Sequence, residues 1–394
     1  MNKKEVKKAP ALRFKGFTND WEQRKLGTAI KIIKDKNKNQ HSYRAFSISN
    51  IKGFIAQDEQ FGKDNTYSKT DKSTNYIVKP GMFAYNPARI NVGSIAYQNQ
   101  TEPVLVSSLY EIFQTNSKID DSFLMNWFKT SLFNRQIKRL EEGGVRQYFF
   151  IDKMKETEIK LPSISEQNQI SKLLQLVNKN LDLQQRKLRL LKLLKKATQQ
   201  NIFASTECLP KLKYRNLTEK WQLYRLKDVA KITMGQSPNS KNYTQNPIDH
   251  ILVQGNADIR NGYVFPRIWT TEITKIASKG DIILCVRAPA GDVGRTKFNV
   301  VIGRGVAAIK GNDFIFQQLQ FMKSSGYWKK YISGSTFESI NSNDIKNAKI
   351  FCPSQLEQKN ISSLLDDIDT SIQIQQKNIL DFKYIKQFLL QNMF

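Results

Sequence analysis

The chain carries one plan twice. Leu12–Ile33 reads LRFKGFTNDWEQRKLGTAIKII, and Leu212–Thr233 reads LKYRNLTEKWQLYRLKDVAKIT. At an offset of 200 residues Leu12/Leu212, Thr18/Thr218, Trp21/Trp221, Leu26/Leu226, Lys31/Lys231 and Ile32/Ile232 coincide, and Arg13/Lys213 and Phe14/Tyr214 are conservative replacements. A second echo closes each half. Pro162-Ser163 and Glu166-Gln167 return as Pro353-Ser354 and Glu357-Gln358 at an offset of 191, and QQNIF (199–203) returns as LQNMF (390–394). The second half is therefore nine residues shorter between its landmarks (200 − 191). Landmarks matched at both ends and in the same order predict two like globular domains.

Each half follows the same grammar. After the Trp-containing opening come short β-type runs broken by turn residues, such as YIVKPGMFAYNP and ASKGDIILCVRAP. A Leu-Pro or Cys-Pro turn then precedes a long helix whose Glu-Gln opening suits a first helical turn. The fold class expected is α+β, with small mixed sheets in both globular parts.

Glu166–Phe203 and Glu357–Phe394 each run 38 residues without Pro or Gly. A helix of that length spans roughly 57 Å. Apolar residues recur in steps of four and three at Ile170, Leu174, Val177, Leu181, Leu188 and Leu191, and again at Ile361, Leu365, Ile368, Ile372, Ile379 and Phe382. That spacing is a coiled-coil seam. Gln184 and Gln375 interrupt the two seams at the same place.

Antiparallel pairing about these central glutamines would match residues whose numbers sum to about 560. Leu181 would then meet Ile379, Leu188 would meet Ile372, and Gln184 would lie beside Gln375. Lys192, Lys195 and Lys196 would fall near Asp366, Asp367 and Asp369, Lys179 near Asp381, and Asp182 near Lys377. The first helix carries eight basic and two acidic residues, the second four and five. Such complementarity selects orientation more than it stabilises, since exposed pairs contribute only about 0–1 kcal/mol each. Two like domains joined by an antiparallel pair would be related by a pseudo-two-fold axis, as the strands of duplex DNA are.

Charge narrows the partner. Lys and Arg total 62 against 35 Asp and Glu, a net charge of +27. That excess favours a polyanion, because each neutralised phosphate releases condensed counterions. No apolar run approaches the roughly 18–20 residues a bilayer crossing needs, so no membrane partner is expected and the expected location is cytoplasmic. The basic stretch with Lys3, Lys4, Lys7 and Lys8 reads as a flexible arm. Cys208, Cys285 and Cys352 lie far apart and form neither a disulfide framework nor a zinc knuckle.

WEQRKLG and WQLYRLKDV at the domain openings, IKLPSISEQNQI and IFCPSQLEQKNI before the helices, GQSP (235–238), GRGVAAI (303–309) and the closing NIF and NMF resemble the specificity subunits of type I restriction-modification enzymes. The resemblance covers essentially the whole chain. It implies a basic arm over 1–11, a first target-recognition domain over 12–158 and a central helical spacer over 159–211. A second recognition domain over 212–347 and a distal helical spacer over 348–394 complete the layout. It further implies that each domain reads one half of a split, asymmetric site on double-stranded DNA, while the helices set the spacer and dock the modification subunits. The partners implied are two modification (methyltransferase) subunits and two restriction (translocase and nuclease) subunits. S-adenosylmethionine, ATP and Mg would sit on those partners, with no cofactor on this chain. A specificity subunit of a related combined restriction-methylation system would share this layout, and a duplicated RNA-binding or architectural protein is a further alternative.

No catalytic or metal-binding constellation is expected. The two histidines, His41 and His250, fall in unlike contexts, and there is no P-loop or dinucleotide fingerprint. Asn86-Pro87-Ala88-Arg89 stands near the Asn/Asp-Pro-Pro-aromatic pattern of adenine methyltransferases, but lacks the aromatic face that stacks a flipped base. Base edges are read by Arg, Asn, Gln and Ser on exposed loops, while phosphate contacts position without specifying sequence. The first-half candidates are Tyr43, Arg44, Asn86, Arg89, Asn91, Ser94, Arg146, Gln147 and Tyr148. The second-half candidates are Gln236, Ser237, Gln254, Arg287, Asp292, Arg295 and Arg304. Asn91-Val92-Gly93 and Asp292-Val293-Gly294 (offset 201) are expected to form an equivalent turn, with glycine allowing close approach or a positive φ. Trp21 and Trp221 are expected as core anchors.

Overall fold

The structure, a computed structural model, describes residues 9–39, 41–61, 72–140, 148–203, 210–212, 220–331 and 339–394. The chain divides into two compact units, Met1–Leu183 with Ile379–Phe394, and Gln184–Asn378. Each unit combines one globular domain with the start of one long helix and the end of the other.

In the first unit, Glu22–Lys25 pairs antiparallel with Glu158–Leu161, which joins the opening of the domain to the strand leading into the helix. The main sheet has four antiparallel strands in the order Ile30–Ile33, Glu111–Thr115, Met82–Tyr85 and Ile95–Tyr97. Met82–Tyr85 is buried at every residue, so it carries apolar side chains on both faces rather than alternating. Phe83 stacks on Phe113 at 5.0 Å and meets Phe128 edge-on at 6.2 Å. Two ribbons, Phe46–Ser49 with Gly53–Ala56 and Tyr76–Val78 with Val104–Val106, complete the β structure. The helix Asp121–Trp127 begins where Asp120 accepts the Phe123 amide (2.7 Å), a cap that contributes about 1 kcal/mol.

The second unit repeats the scaffold. Gln222–Arg225 pairs with Lys349–Cys352. Its main sheet runs Lys231–Met234, Val306–Lys310, Ile282–Cys285, Val293–Arg295, and continues into Tyr263–Val264 and Ile259–Arg260. The first four strands match the four of the first unit in order. A separate five-stranded mixed sheet replaces the two ribbons. Matched pairings show where the nine missing residues fall. Ile32–Phe113 corresponds to Ile232–Ile309, and Phe83–Tyr97 to Ile282–Arg295. The offset thus drops from 200 to 196 across the sheet. It reaches 191 where Leu26 and Leu226 bond to Thr157 and Ala348.

The aromatic closure of each domain is the same device. Trp21 and Phe394 both pack on Phe123, with ring centroids at 6.0 and 4.8 Å. Trp221 and Phe203 both pack on Phe314, at 5.8 and 5.6 Å. The Leu12 amide donates to the Asn392 carbonyl and the Leu212 amide to the Asn201 carbonyl. The closing NIF and NMF motifs therefore finish a domain core. Both tryptophans are buried, as expected of anchors.

The long helices run Ile164–Phe203 and Gln355–Asn392. In the first unit Leu174, Val177, Leu181 and Ile379 are buried; in the second Leu365, Ile368 and Gln375 are buried, while Gln184, Leu188 and Ile372 are half-buried. The Gln375 amide donates to the Gln184 side chain (2.5 Å) and carbonyl (3.0 Å). Lys195 binds Asp369 at 2.6 Å. Residue numbers rise on one helix as they fall on the other (184 with 375, 195 with 369), so the segments are antiparallel. Of the expected cross-helix charge contacts, Lys195–Asp369 forms; Asp366 instead accepts from Gln317 of the adjoining domain helix Asp313–Ser324 (2.8 Å).

Candidate nucleic-acid interface

In the second unit three loops meet at the edge of the sheets. The Gly235 and Gln236 amides donate to Val306 and Ile302, and the Gly303 amide to Val253. The Arg304 amide donates to the Ser237 hydroxyl (3.0 Å), and Gln254 donates its side-chain amide to the Tyr243 hydroxyl (2.7 Å). The loops touch because glycine lets them. A Cβ on Gly235 would stand 2.1 Å from the Gly303 carbonyl oxygen, and one on Gly305 would stand 2.0 Å from that of Gln254. Gln236, Ser237, Gln254 and Arg304 are thus brought together by backbone contact. Gln236 and Arg304 are exposed, and among the described residues the Arg304 guanidinium forms no ion pair. Arg287, also exposed, adjoins the cluster because the neighbouring Val286 amide donates to the Gly305 carbonyl.

Asp292 and Arg295 lie elsewhere. Asp292 faces Lys323 at 3.5 Å, while Arg295 is bound by Asp313 and the Gly280 carbonyl and lies over the Phe316 ring at 5.1 Å. Both are held against the helix Asp313–Ser324, which takes their charges out of the loop surface.

The first unit gathers its candidates less tightly. Asn86 accepts the Ala88 amide (3.0 Å), and its own amide donates to the Ser94 carbonyl, forming a capped turn that presents Arg89 and Asn91 to solvent. The Phe149 amide donates to the Pro87 carbonyl, which brings Tyr148, stacked on Phe150 at 5.4 Å, beside that turn. Ser94 turns inward, buried with its hydroxyl donated to Ile48 (2.9 Å). Tyr43 lies half-buried against His41. Arg44 is bound by Asp58 and Glu59 at 2.8 and 2.9 Å, and these hydrogen bonds hold its guanidinium above its ordinary range. Arg146 and Gln147 lie outside the described residues, as do Cys208 and the four lysines of the arm.

The expected equivalent turn is present but shifted. Gly93 has φ +87 and corresponds to Gly291 (φ +91), whereas Gly294 lies in the strand Val293–Arg295. A Cβ on Gly294 would stand 2.8 Å from Ile259. Glycine thus serves a positive φ at one position and close approach at the other.

Sequence reading missed the hairpin tip Asn50-Ile51-Lys52. Ile51 is 87% exposed between two polar neighbours, and with Asn91 and Val92 this tip lines a concave surface of about 830 Å³. The signal was there: SISN-IK-GFIA places Asn and Gly around a tight turn between two short strands.

The two described thiols are poor nucleophiles, since burial pushes Cys285 up to about 12 and Cys352 up to about 11. No group of three or more His, Cys, Asp or Glu able to hold a metal occurs among the described residues. No helix there is long and apolar enough to cross a membrane.

The profile of the type I restriction modification DNA specificity domain matches twice, over residues 18–193 and 218–381. The chain belongs to that family. It is a type I specificity subunit with two target-recognition domains. A Methanocaldococcus jannaschii protein assigned as the MjaX type I restriction-enzyme specificity subunit is 27% identical, over 91% of this chain and 89% of its own length. The MjaVIII specificity subunit of the same organism is 24% identical over 91% and 88%. Among solved structures, the type I S subunit from M. genitalium aligns with a TM-score of 0.63 at 14% identity, covering 98% of this chain and 99% of its own. A chain from a type I restriction-modification system solved for its complex assembly and conformational transition aligns at 0.61 and 20%, covering 95% and 97%. At these identities the specificity subunits share the fold.

Proposed function

We propose that this specificity subunit supplies the address of a type I restriction-modification complex and performs no chemistry itself. Each recognition domain reads one half of a bipartite, asymmetric duplex site, and the paired helices set the distance between the halves. The observation that carries this reading is the repeated scaffold bearing different exposed loop residues: Gln236 and Arg304 in one domain, Arg89, Asn91 and the Asn50–Lys52 tip in the other. Arg and Asn/Gln are the side chains that pair bidentately with guanine and adenine.

The methyltransferase-like tetrapeptide supports a structural role, because the Asn86 side chain is taken by its own turn. Adenine methylation with S-adenosylmethionine, and ATP- and Mg-dependent translocation and cleavage, then belong to two modification and two restriction subunits in the cytoplasm. A docking role for the helices is supported by leucines that their own packing leaves in solvent. These are Leu176 and Leu183 (59% and 52% exposed) in the first unit, and Leu190 and Leu193 (56% and 61%) in the second. Apolar area of this kind marks interaction surfaces.

Co-expressing the chain with its modification subunits and mapping methylated adenines across the host genome tests the proposal. A split motif is expected. Exchanging residues 12–158 for another recognition domain should alter one half of it; changes in both halves would refute independent readers.

A further inference from the structure

Each unit has a concavity beside its domain helix to which a long helix contributes a lysine, and the duplication lets the two be compared. The 191-residue offset that matches Phe123 with Phe314 and Phe394 with Phe203 also matches Lys386 with Lys195, Lys129 with Gln320, and Asn178 with Asp369.

In the second unit the crevice, of about 610 Å³, is also lined by Lys192 and Lys196, but it pairs the matching lysine, Lys195, internally. Lys195 donates to Asp369 (2.6 Å) and to Gln320 (2.7 Å), Gln317 donates to Asp366 and Asp369, and Arg295 is held by Asp313. In the first unit the position that matches Gln320 is a second lysine, Lys129, whose ammonium lies within the field of Lys386, and the position that matches Asp369 is an asparagine, Asn178. Lys129 and Lys386 both line the crevice, and neither is in an ion pair among the described residues. Among the described residues the one carboxylate that lines it, Asp121, accepts the Thr115 hydroxyl. Partial desolvation holds both ammonium groups below their ordinary range; Lys386 depresses Lys129 further, while the field of Asp182 opposes the fall at Lys386. Two like charges in one concavity are unfavourable until an anion joins them. The same concave surface carries Lys52, Asn50 and Asn91, so the lysine pair lies on the face that holds the exposed loops of this domain.

We propose that Lys129 and Lys386 together bind a backbone phosphodiester of the DNA half-site read by the first recognition domain, with the distal helix lending Lys386 to a reader from the other end of the chain. The inference rests on the DNA-reading function above and adds an asymmetry to it: the second domain has spent the matching lysine on Asp369. Phosphate contacts of this kind add affinity without sequence preference.

The test uses the full chain with its modification subunits, bound to duplex carrying the methylated motif across a salt series. Lys129→Gln and Lys386→Gln should each reduce the slope of log affinity against log salt by about 0.9, weaken binding at low salt, and leave the methylated motif unchanged. Lys386→Arg should retain the wild-type slope. Lys195→Gln, at the matching position in the second unit, should leave the slope unchanged and lower the thermal midpoint. A normal wild-type slope with unaltered Lys129 and Lys386 variants would overturn this inference alone, whereas wild-type protein without motif-specific binding would overturn the function as well. Inorganic phosphate titrated into the full chain supplies the remaining arm. A phosphate-dependent rise in midpoint that the variants lose, together with unchanged DNA slopes, would mean a free-anion site and would overturn the DNA assignment.

Discussion

The closure around Trp21 and the closure around Trp221 use the same residue types, the tryptophans 200 residues apart and the phenylalanines 191, whereas the loops above the two sheets share almost no side chains. The contrast follows from what each region must do. Closing a core at near-crystalline density tolerates little change in volume, so Trp21, Phe123 and Phe394 have close counterparts in Trp221, Phe314 and Phe203. Exposed loop side chains contribute little to stability, so Arg304 in one domain and Asn91 in the other can differ without disturbing what lies beneath. Even glycine divides this way. The three-loop cluster of the second domain depends on the closeness of Gly235 and Gly305 to carbonyl oxygens, and the first domain builds its exposed turn without that device.

The sharpest test of equal scaffolds is a matched truncation. Leu174 and Leu365 are both fully buried, 191 residues apart. Leu174→Ala and Leu365→Ala should each cost about 2–5 kcal/mol, read as lost hydrogen-exchange protection confined to the unit that carries the change. A cost several-fold smaller at one site would break the equivalence.

The loops should show the opposite behaviour. Arg304→Ala should leave the unfolding midpoint unchanged and relax preference within one half of the motif by about 1–3 kcal/mol. Methylation mapping reads this directly, and an altered base in the other half would contradict separate readers.

The smallest effect concerns Asp366, whose carboxyl is held above its ordinary range, first by desolvation; Gln317 partly opposes the shift, while Asp313 and Asp369 add to it. A raised carboxyl means that the folded state prefers the proton. Its ionisation therefore opposes folding, fully above the folded pKa and not at all below the ordinary carboxylate value. Asp366→Asn should raise the thermal midpoint at neutral pH, and the gain should vanish on acidification through that window. A gain of equal size at every pH would mean that packing, not charge, is responsible.

The duplication, the long helices and their antiparallel sense were legible because periodicity and the absence of Pro and Gly over nearly forty residues leave few alternatives. Strand order was not, since runs of two to five residues in the sheets carry too little pattern to choose their neighbours. Candidate readers were legible as residue types and not as environments. Arg44 and Arg295 read as free cations in sequence because the acids that hold them, Asp58, Glu59 and Asp313, come from other elements. Ser94 shared the polar character of its turn, yet register directed it inward to Ile48. The lysine pair was invisible, because Lys129 and Lys386 are separated by 257 positions (386 − 129) and meet only through the fold.

The contact between Phe394 and Phe123 sets an order of events during synthesis. A ribosome that has released the first domain has yet to deliver the ring that seals it, while Phe203 precedes Trp221 and waits ready for the second domain. The reader translated earlier must therefore wait for translation to reach Phe394 before its core can be sealed.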